Sequence, residues 1–305
     1  MSSADSAPES TPDLGALLDS WTFQLRVERK SPNTIRGYRT GVERFLEWAR
    51  ETGNEPVLDR PTVAAFMVHL LDSGAEPSTA ATRHLALRRF SAWLCEEGET
   101  TVDDLLNSKP PKIDTKIVPT LSEEQLSALV KATQGTNFRD RRDEAIVRLM
   151  IETGMRAGEV VDLHLDDIDL TRGLVLVRKS KTGKGRIVPI GPHTVRAIDR
   201  YIRHRRRHDR AGSKDLWLGE QQKQFGYYGL YRTLLRRAES AGIRDFHPHV
   251  LRHTAAHRWL AAGGSEGGLM SVAGWSQRGM IDRYAAHAAA SRAADEARNL
   301  NLGDL

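Results

Sequence analysis

The stretch "GLVLVRKSKTGKGRIVPI", Gly173 to Ile190, is where this 305-residue chain stops reading as helix. Two short β-branched runs, Leu174–Val177 and Arg186–Ile190, flank a basic turn that contains glycine. That pattern predicts a β-hairpin with a lysine-rich tip. The chain on either side is mainly helical in its periodicity. The fold class expected is therefore mainly α with a small β-sheet or hairpin.

Working outward, "RRDEAIVRLMIETG" before the hairpin is an amphipathic helix that should stop at Gly154. Upstream of it, Ser122 with Gln125 three residues on has the form of a capping box and marks the start of a domain. From Pro192 onward the pattern is helical again. "GGSEGG", Gly263–Gly268, reads as a turn between helices. In the N-terminal part, "SPNTIRGYRTGVERFLEWARETG" starts at Ser-Pro, carries Ile35, Tyr38, Val42, Phe45, Leu46 and Trp48 along one face, and stops at Gly53. "DLGALLDSWTFQL", "RPTVAAFMVHLLDSG" and "STAATRHLALRRFSAWLCEEG" complete a four-helix group. "NSKPPKIDTKIVPT" has three prolines and no helical period, so it reads as a linker. The domains expected are a disordered tail over 1–12, a helical domain over 13–106, a linker over 107–120 and a second domain over 121–305.

Composition narrows the class. Hydrophobic residues make up 39% and charged residues 28%, and no window holds enough consecutive apolar residues to span a membrane. The first residues, "MSSADSAPESTPD", have neither a basic nor an apolar segment of the kind a signal peptide needs. Cys95 is the single cysteine, which excludes an intrachain disulfide and argues against a cysteine-based zinc site. A cytoplasmic protein is expected. The formal net charge of +5 permits a nucleic-acid partner, and the cationic runs "RHLALRRF", "RYIRHRRRHDR" and "YRTLLRRA" strengthen that expectation.

Four separated segments carry side chains suited to one phosphate. In "ETGMRAGEV", Arg156 opens a helix with Glu159 one turn on. A guanidinium grips phosphate oxygens in pairs, and a helix start favours anions. Lys181, Lys184 and Arg186 lie on or beside the hairpin tip. In "HPHVLRHTAAH", His249 and Arg252 stand three residues apart, which is one helix face. An imidazole moves protons near neutral pH, and an arginine steadies an oxyanion. The neighbouring His247, His253 and His257 raise a metal site as an alternative. The run lacks the HExxH spacing and has no carboxylate cluster beside it, so no metal is expected. Finally, Trp275 precedes Tyr284 by nine residues. A free phenol is only about 0.1% ionised at pH 7, so Tyr284 would act as a nucleophile only with cations to lower its pKa.

In order and spacing these segments resemble the tyrosine recombinase, or phage integrase, family. "TGMRAGEV" is similar to the family's first-arginine box, "KTGKGRIVPI" to its hairpin with Lys181 in the lysine position, "HVLRHT" to its His-x-x-Arg box, and "AGWSQRGMIDRY" to the box that ends on the nucleophile. "SPNTIRGYRTGVERFLEW" resembles part of its helical core-binding domain, so the likeness covers nearly the whole chain. It implies a two-domain DNA clamp: a SAM-like core-binding domain and a catalytic domain holding opposite faces of a duplex. The implied activity is site-specific recombination by cleavage and rejoining through a 3′-phosphotyrosyl link and a Holliday junction, with neither metal nor ATP and no cofactor. The implied partner is double-stranded DNA with short inverted core sites, bound by a homotetramer on two sites and without a separate arm-binding domain.

Carried over residue by residue, Arg156 and Arg252 bind the non-bridging oxygens, Lys181 protonates the leaving 5′-oxygen, His249 assists as a base, Tyr284 attacks, and Glu159 orients Arg156 or His249. Arg36, Arg39, Arg83, Arg88, Lys184 and Arg186 are the expected DNA contacts. Trp275 departs from the pattern. Most relatives have His here and a Cre-like minority has Trp. An indole cannot shuttle a proton, so its role is positioning, and the departure points away from Xer-type resolvases. The helical tail after Tyr284 would dock on a neighbouring subunit. The alternatives are relaxation of DNA as a type IB topoisomerase, or a DNA-binding protein of this fold without catalysis.

Overall fold

A computed structural model describes residues 12–113, 119–178, 185–220, 224–275, 279 and 281. The chain divides into two compact units, residues 1–116 and 117–305.

Among the described residues, the first unit has four helices: α1 (Leu14–Val27), α2 (Pro32–Thr52), α3 (Arg60–Asp72) and α4 (Pro77–Glu96). Their ends follow from local chemistry. The Asp13 side chain caps α1, Ser31 caps α2 with Pro32 behind it, and Asp59 caps α3. Gly53 ends α2 in the left-handed conformation, φ 71°. The apolar faces close on an aromatic core. Trp21 stacks on Tyr38 at 5.8 Å and leans on Phe90 at 4.9 Å, while Phe45 meets Phe66 edge-on at 5.5 Å. Burying each of those phenylalanines stabilises the unit by about 1.5–3 kcal/mol. Helices α2 and α4 cross closely because Gly41 lies at the contact. A Cβ there would stand 2.5 Å from the Ala86 Cβ.

The second unit begins with α5 (Glu123–Lys131), whose first turn carries the reciprocal Ser122–Gln125 capping box. Helix α6 (Phe138–Thr153) runs through the core and buries Ala145, Ile146, Val147, Leu149, Met150 and Ile151. It ends at Gly154 with φ 60°. A short α7 (Ala157–Val161) follows, then a 3-10 turn, then β1 (Ile168–Asp169), β2 (Leu174–Val177) and β3 (Arg186–Pro189). The strands form one antiparallel sheet in the order β1-β2-β3, with Val175 opposite Val188 and Val177 opposite Arg186. The hairpin predicted from the sequence is therefore two-thirds of a three-stranded sheet. Strand β1 has two residues, too few to carry a period. Helices α8 (Pro192–Arg205), α9 (Tyr227–Ser240), α10 (Pro248–Ala261) and α11 (Glu266–Ala273) complete the described part. Charges also enter this core. Arg142 and Asp143 are buried together at 2.9 Å, and Arg237 of α9 reaches Asp143 and Asp140 at 2.8 and 2.7 Å.

Among the described residues no helix is long and apolar enough to cross a membrane, and no three His, Cys, Asp or Glu side chains form a group able to hold a metal ion.

The Gly41 contact is directly testable. Gly41→Val should destabilise the N-terminal unit by about 1–3 kcal/mol through overpacking. Gly37→Ala on the same helix, where an added Cβ meets nothing within 4 Å, should be neutral or stabilising by about 0.5–1 kcal/mol. Urea denaturation followed by tryptophan fluorescence measures both.

Candidate active site

The chain leaves α6 at Gly154 and turns into α7, which places Arg156 just before the helix. Glu159, three residues on, reaches back to it. Its carboxylate accepts the Arg156 backbone N–H at 2.9 Å and the Arg156 Nη1 at 3.0 Å. The same carboxylate receives Arg186 from β3 through two parallel bonds, Nη1 to Oε1 at 3.0 Å and Nη2 to Oε2 at 2.8 Å. The third Arg186 donor, Nε, holds the carbonyl of Val272 in α11 at 2.8 Å.

Arg252 enters from α10. Its Nη1 donates to the Gly154 carbonyl at 2.8 Å and its Nη2 to the Ala273 carbonyl at 2.8 Å. It therefore ties the turn before Arg156 to the end of α11. Its guanidinium lies 5.1 Å over the ring of Trp275, a cation–π distance. Trp275 is 6% exposed and packs with Ala256, Leu260, Leu269, Ala273 and Ile281. Both the cation–π contact and the packing suit a positioning role.

His249 lies three residues before Arg252 on α10, open to solvent, with its ring edge-on to His253 at 5.4 Å. Its pKa is lowered, first by partial desolvation and then by the positive charges of Arg252, His247 and Arg156. These residues therefore form one electrostatic cluster. Burial alone would raise the pKa of Glu159. The hydrogen bonds and charges of Arg186 and Arg156 outweigh burial and hold it below the ordinary carboxylate range. The result is two guanidiniums around one ionised carboxylate, with a third guanidinium, Arg252, and the His249 imidazole alongside. Positive charge is in excess, as a site for a phosphodiester requires.

The structure thus brings together Arg156, Glu159, His249, Arg252 and Trp275. Glu159 is bonded to Arg156, and no described bond joins it to His249. Lys181, Lys184 and Tyr284 lie outside the described residues. Arg186, expected as a DNA contact, instead turns inward. Its side chain is 8% exposed, and its donors hold Glu159 and Val272. Sequence reasoning missed this tether, and it missed Gly274. That glycine ends α11 at φ 64°, and a Cβ on it would stand 2.9 Å from the Arg186 guanidinium.

The other expected DNA contacts belong to the N-terminal unit. Arg36 is exposed. Arg39 bridges Asp19 and Glu43 at 2.6 and 2.7 Å, Arg83 donates to the Gly37 carbonyl at 3.3 Å, and Arg88 donates to the Leu106 carbonyl at 3.0 Å. Three of the four are thus engaged within their own unit. Tyr201 can be set aside as a nucleophile. Its hydroxyl is buried between the Leu216 carbonyl and the Leu218 N–H, and burial pushes its pKa up to about 12.

Two measurements check this geometry. Glu159→Gln leaves the buried Arg186 without its counter-charge and should cost about 3–5 kcal/mol in a denaturation experiment. In NMR titration the His249 imidazole should titrate below its ordinary range, and Arg156→Gln should move it back up. No upward movement would show that Arg156 and His249 do not share a field.

Residues 119–291 match the phage integrase family, and residues 18–98 match the phage integrase N-terminal SAM-like domain. The chain is 30% identical to the tyrosine recombinase XerC of Corynebacterium glutamicum over 262 residues, covering 85% of this chain and 83% of that protein. Its fold is similar to that of the XerH site-specific recombinase bound to a palindromic difH substrate, with TM-score 0.72, 18% identity, and 92% of this chain and 84% of that one covered. It is also similar to a lambda integrase tetramer bound to a Holliday junction, with TM-score 0.67, 18% identity and coverage of 87% and 77%. Xer-type proteins are thus among its relatives, although Trp275 alone pointed away from them. With the catalytic-domain match spanning more than half of its length, this chain belongs to the phage integrase family.

Proposed function

We propose that the protein is a site-specific DNA recombinase that cuts and rejoins DNA through a phosphotyrosyl link. The observation that carries this is the shared cationic site of Arg156, His249 and Arg252, tied through the Ala273 carbonyl to the end of α11, two residues before Trp275. In the proposed step the Tyr284 oxygen attacks the phosphorus, the bond to the 5′-oxygen breaks, and a 3′-phosphotyrosyl ester forms. The phenol proton passes to His249, which is suited to accept it because its pKa is lowered and it is neutral at pH 7. The 5′-oxygen takes a proton from Lys181. A partner strand's 5′-hydroxyl reverses the step.

Arg156 and Arg252 steady the charge on the non-bridging oxygens, and loss of either should cost on the order of 10²–10³ in rate. Glu159 fixes the direction of Arg156, and Trp275 that of Arg252. The energy of the broken bond stays in the ester, so the cycle needs neither ATP nor metal. The substrate proposed is a duplex with short inverted core sites, exchanged by a homotetramer on two such duplexes in the cytoplasm. The palindromic difH complex and the Holliday-junction tetramer of similar proteins support this reading. The domain bounds proposed are 13–106 for core binding and 121–305 for catalysis, and the family matches at 18–98 and 119–291 are in keeping with them.

The test is to incubate the protein with a randomised duplex library, trap covalent adducts under denaturing conditions and sequence the DNA. Wild-type adducts should converge on an inverted site and vanish in Tyr284→Phe. Sequence-selective binding without adducts would favour a binding protein of this fold. Adducts without strand exchange between two sites would favour a topoisomerase.

On the trapped site, Trp275→Ala should lose most of the capture while Trp275→His keeps a substantial part. The acid limb of single-turnover capture follows from the sign of the His249 shift. A histidine whose folded pKa lies below its free value of about 6.5 stays neutral down to that lower pH. Capture should therefore fall only as the pH drops through the depressed value, and His249→Gln should remove the limb.

A further inference from the structure

The basic run Arg200–Arg210 is not used by the site above. The structure divides its residues sharply. Arg205 points inward and is 2% exposed, donating to the carbonyls of Ala211, Ser213, Asp215 and Leu216. It staples the loop after α8. Arg200, Arg203, His204 and Arg207 occupy the outer face, and together with Arg141 from the first turn of α6 they line a cleft of about 330 Å³. Two of the four arginines have acids nearby: Arg203 pairs with Asp199 at 3.0 Å, and Arg141 lies 3.7 Å from Glu144. Arg200 and Arg207 are exposed and have no ion-pair partner among the described residues. The cleft is distant from the catalytic cluster. Arg141 opens α6, whereas Arg156 follows its other end, and the thirteen residues from Arg141 to Gly154 rise about 20 Å.

We infer that this cleft is a second phosphate-binding surface that holds a segment of DNA other than the one being cut. Arg196, Arg200, Arg203 and His204 fall at the i, i+4, i+7 and i+8 positions of one face of α8, and Arg207 lies in the turn just beyond its end. From Arg196 to His204 the helix rises about 12 Å, which matches about three to four nucleotides at 3.4 Å each along one strand. Guanidiniums on two helices facing across a cleft suit a phosphate chain with oxygens on both sides. The choice of DNA as the polyanion rests on the recombinase reading, but the charge geometry does not.

The test uses the full chain and a short duplex of arbitrary sequence, with affinity measured by fluorescence anisotropy over a salt series. Arg200→Gln/Arg207→Gln should weaken binding about tenfold at low salt and make the slope of log K against log salt shallower by about two. Covalent capture at the core site and the thermal midpoint should stay at wild-type values. Arg200→Lys/Arg207→Lys should restore the slope.

An unchanged slope in the glutamine pair overturns the proposal, as does a lysine pair that behaves like the glutamine pair. If polyglutamate displaces the wild-type protein's duplex better than DNA of equal charge, and the glutamine pair loses that preference, the cleft takes an acidic protein and the proposal falls. Absence of covalent capture in every variant, with the slope change intact, would sink the recombinase reading and leave the cleft standing.

Discussion

One buried carboxylate organises the catalytic half of this protein. Glu159 accepts four N–H groups, two from Arg156 and two from Arg186. Four is about the capacity of an ionised carboxyl group, so its lone pairs are fully used. Such a charge would be costly in a protein interior if left alone. Held this way it becomes the joint between the start of α7 and the first residue of β3. Through the remaining donor of Arg186, the joint extends to the end of α11. Arg252 makes a parallel connection from α10 to the α6 turn and again to α11. Two arginines and one acid thus set the relative placement of four chain segments that are far apart in sequence.

Much of the fold was legible before any coordinates. The Ser-Pro start and Gly53 stop of α2, the Ser122–Gln125 box and the Gly154 stop are local signals, and local signals survive in the fold because the backbone donors and acceptors at helix ends must be satisfied somewhere. The hairpin was legible from β-branched alternation. Strand β1 was not, because two residues have no period and pair only once the hairpin exists to pair with. The site was legible as a set of residue types in order. What the order could not show was direction. Arg186 was read as basic and near a basic tip, hence as facing outward. The alternation rule was available and points the other way: Arg186 shares a face with Val188, two residues on, and lies opposite Val177, and both valines are buried.

The same lesson runs through the other arginines. Arg39, Arg83 and Arg88 were grouped with Arg36 as DNA contacts on charge alone, yet Arg83 and Arg88 each hold a carbonyl of their own unit and Arg39 a pair of acids. Arg205 sits among five other cationic letters and is the one that folds inward. A guanidinium has five donors and a long apolar stem, so it serves as well for stapling irregular backbone as for meeting a phosphate. Composition cannot separate these uses. Helical phase can, once the helix boundaries are known.

Gly274 has a consequence for engineering. It is the last residue before Trp275, it requires a left-handed backbone, and the space its side chain would fill is occupied by Arg186. The sheet and the chain leading to the C-terminus are therefore interlocked at one point with no slack. Hybrid proteins that take the hairpin from one relative and the C-terminal segment from another would break that fit even if every reactive group were preserved. The unit that can be exchanged is larger: the start of α7 with Glu159, the strand with Arg186, and the 272–275 corner, moved together as one piece of inheritance.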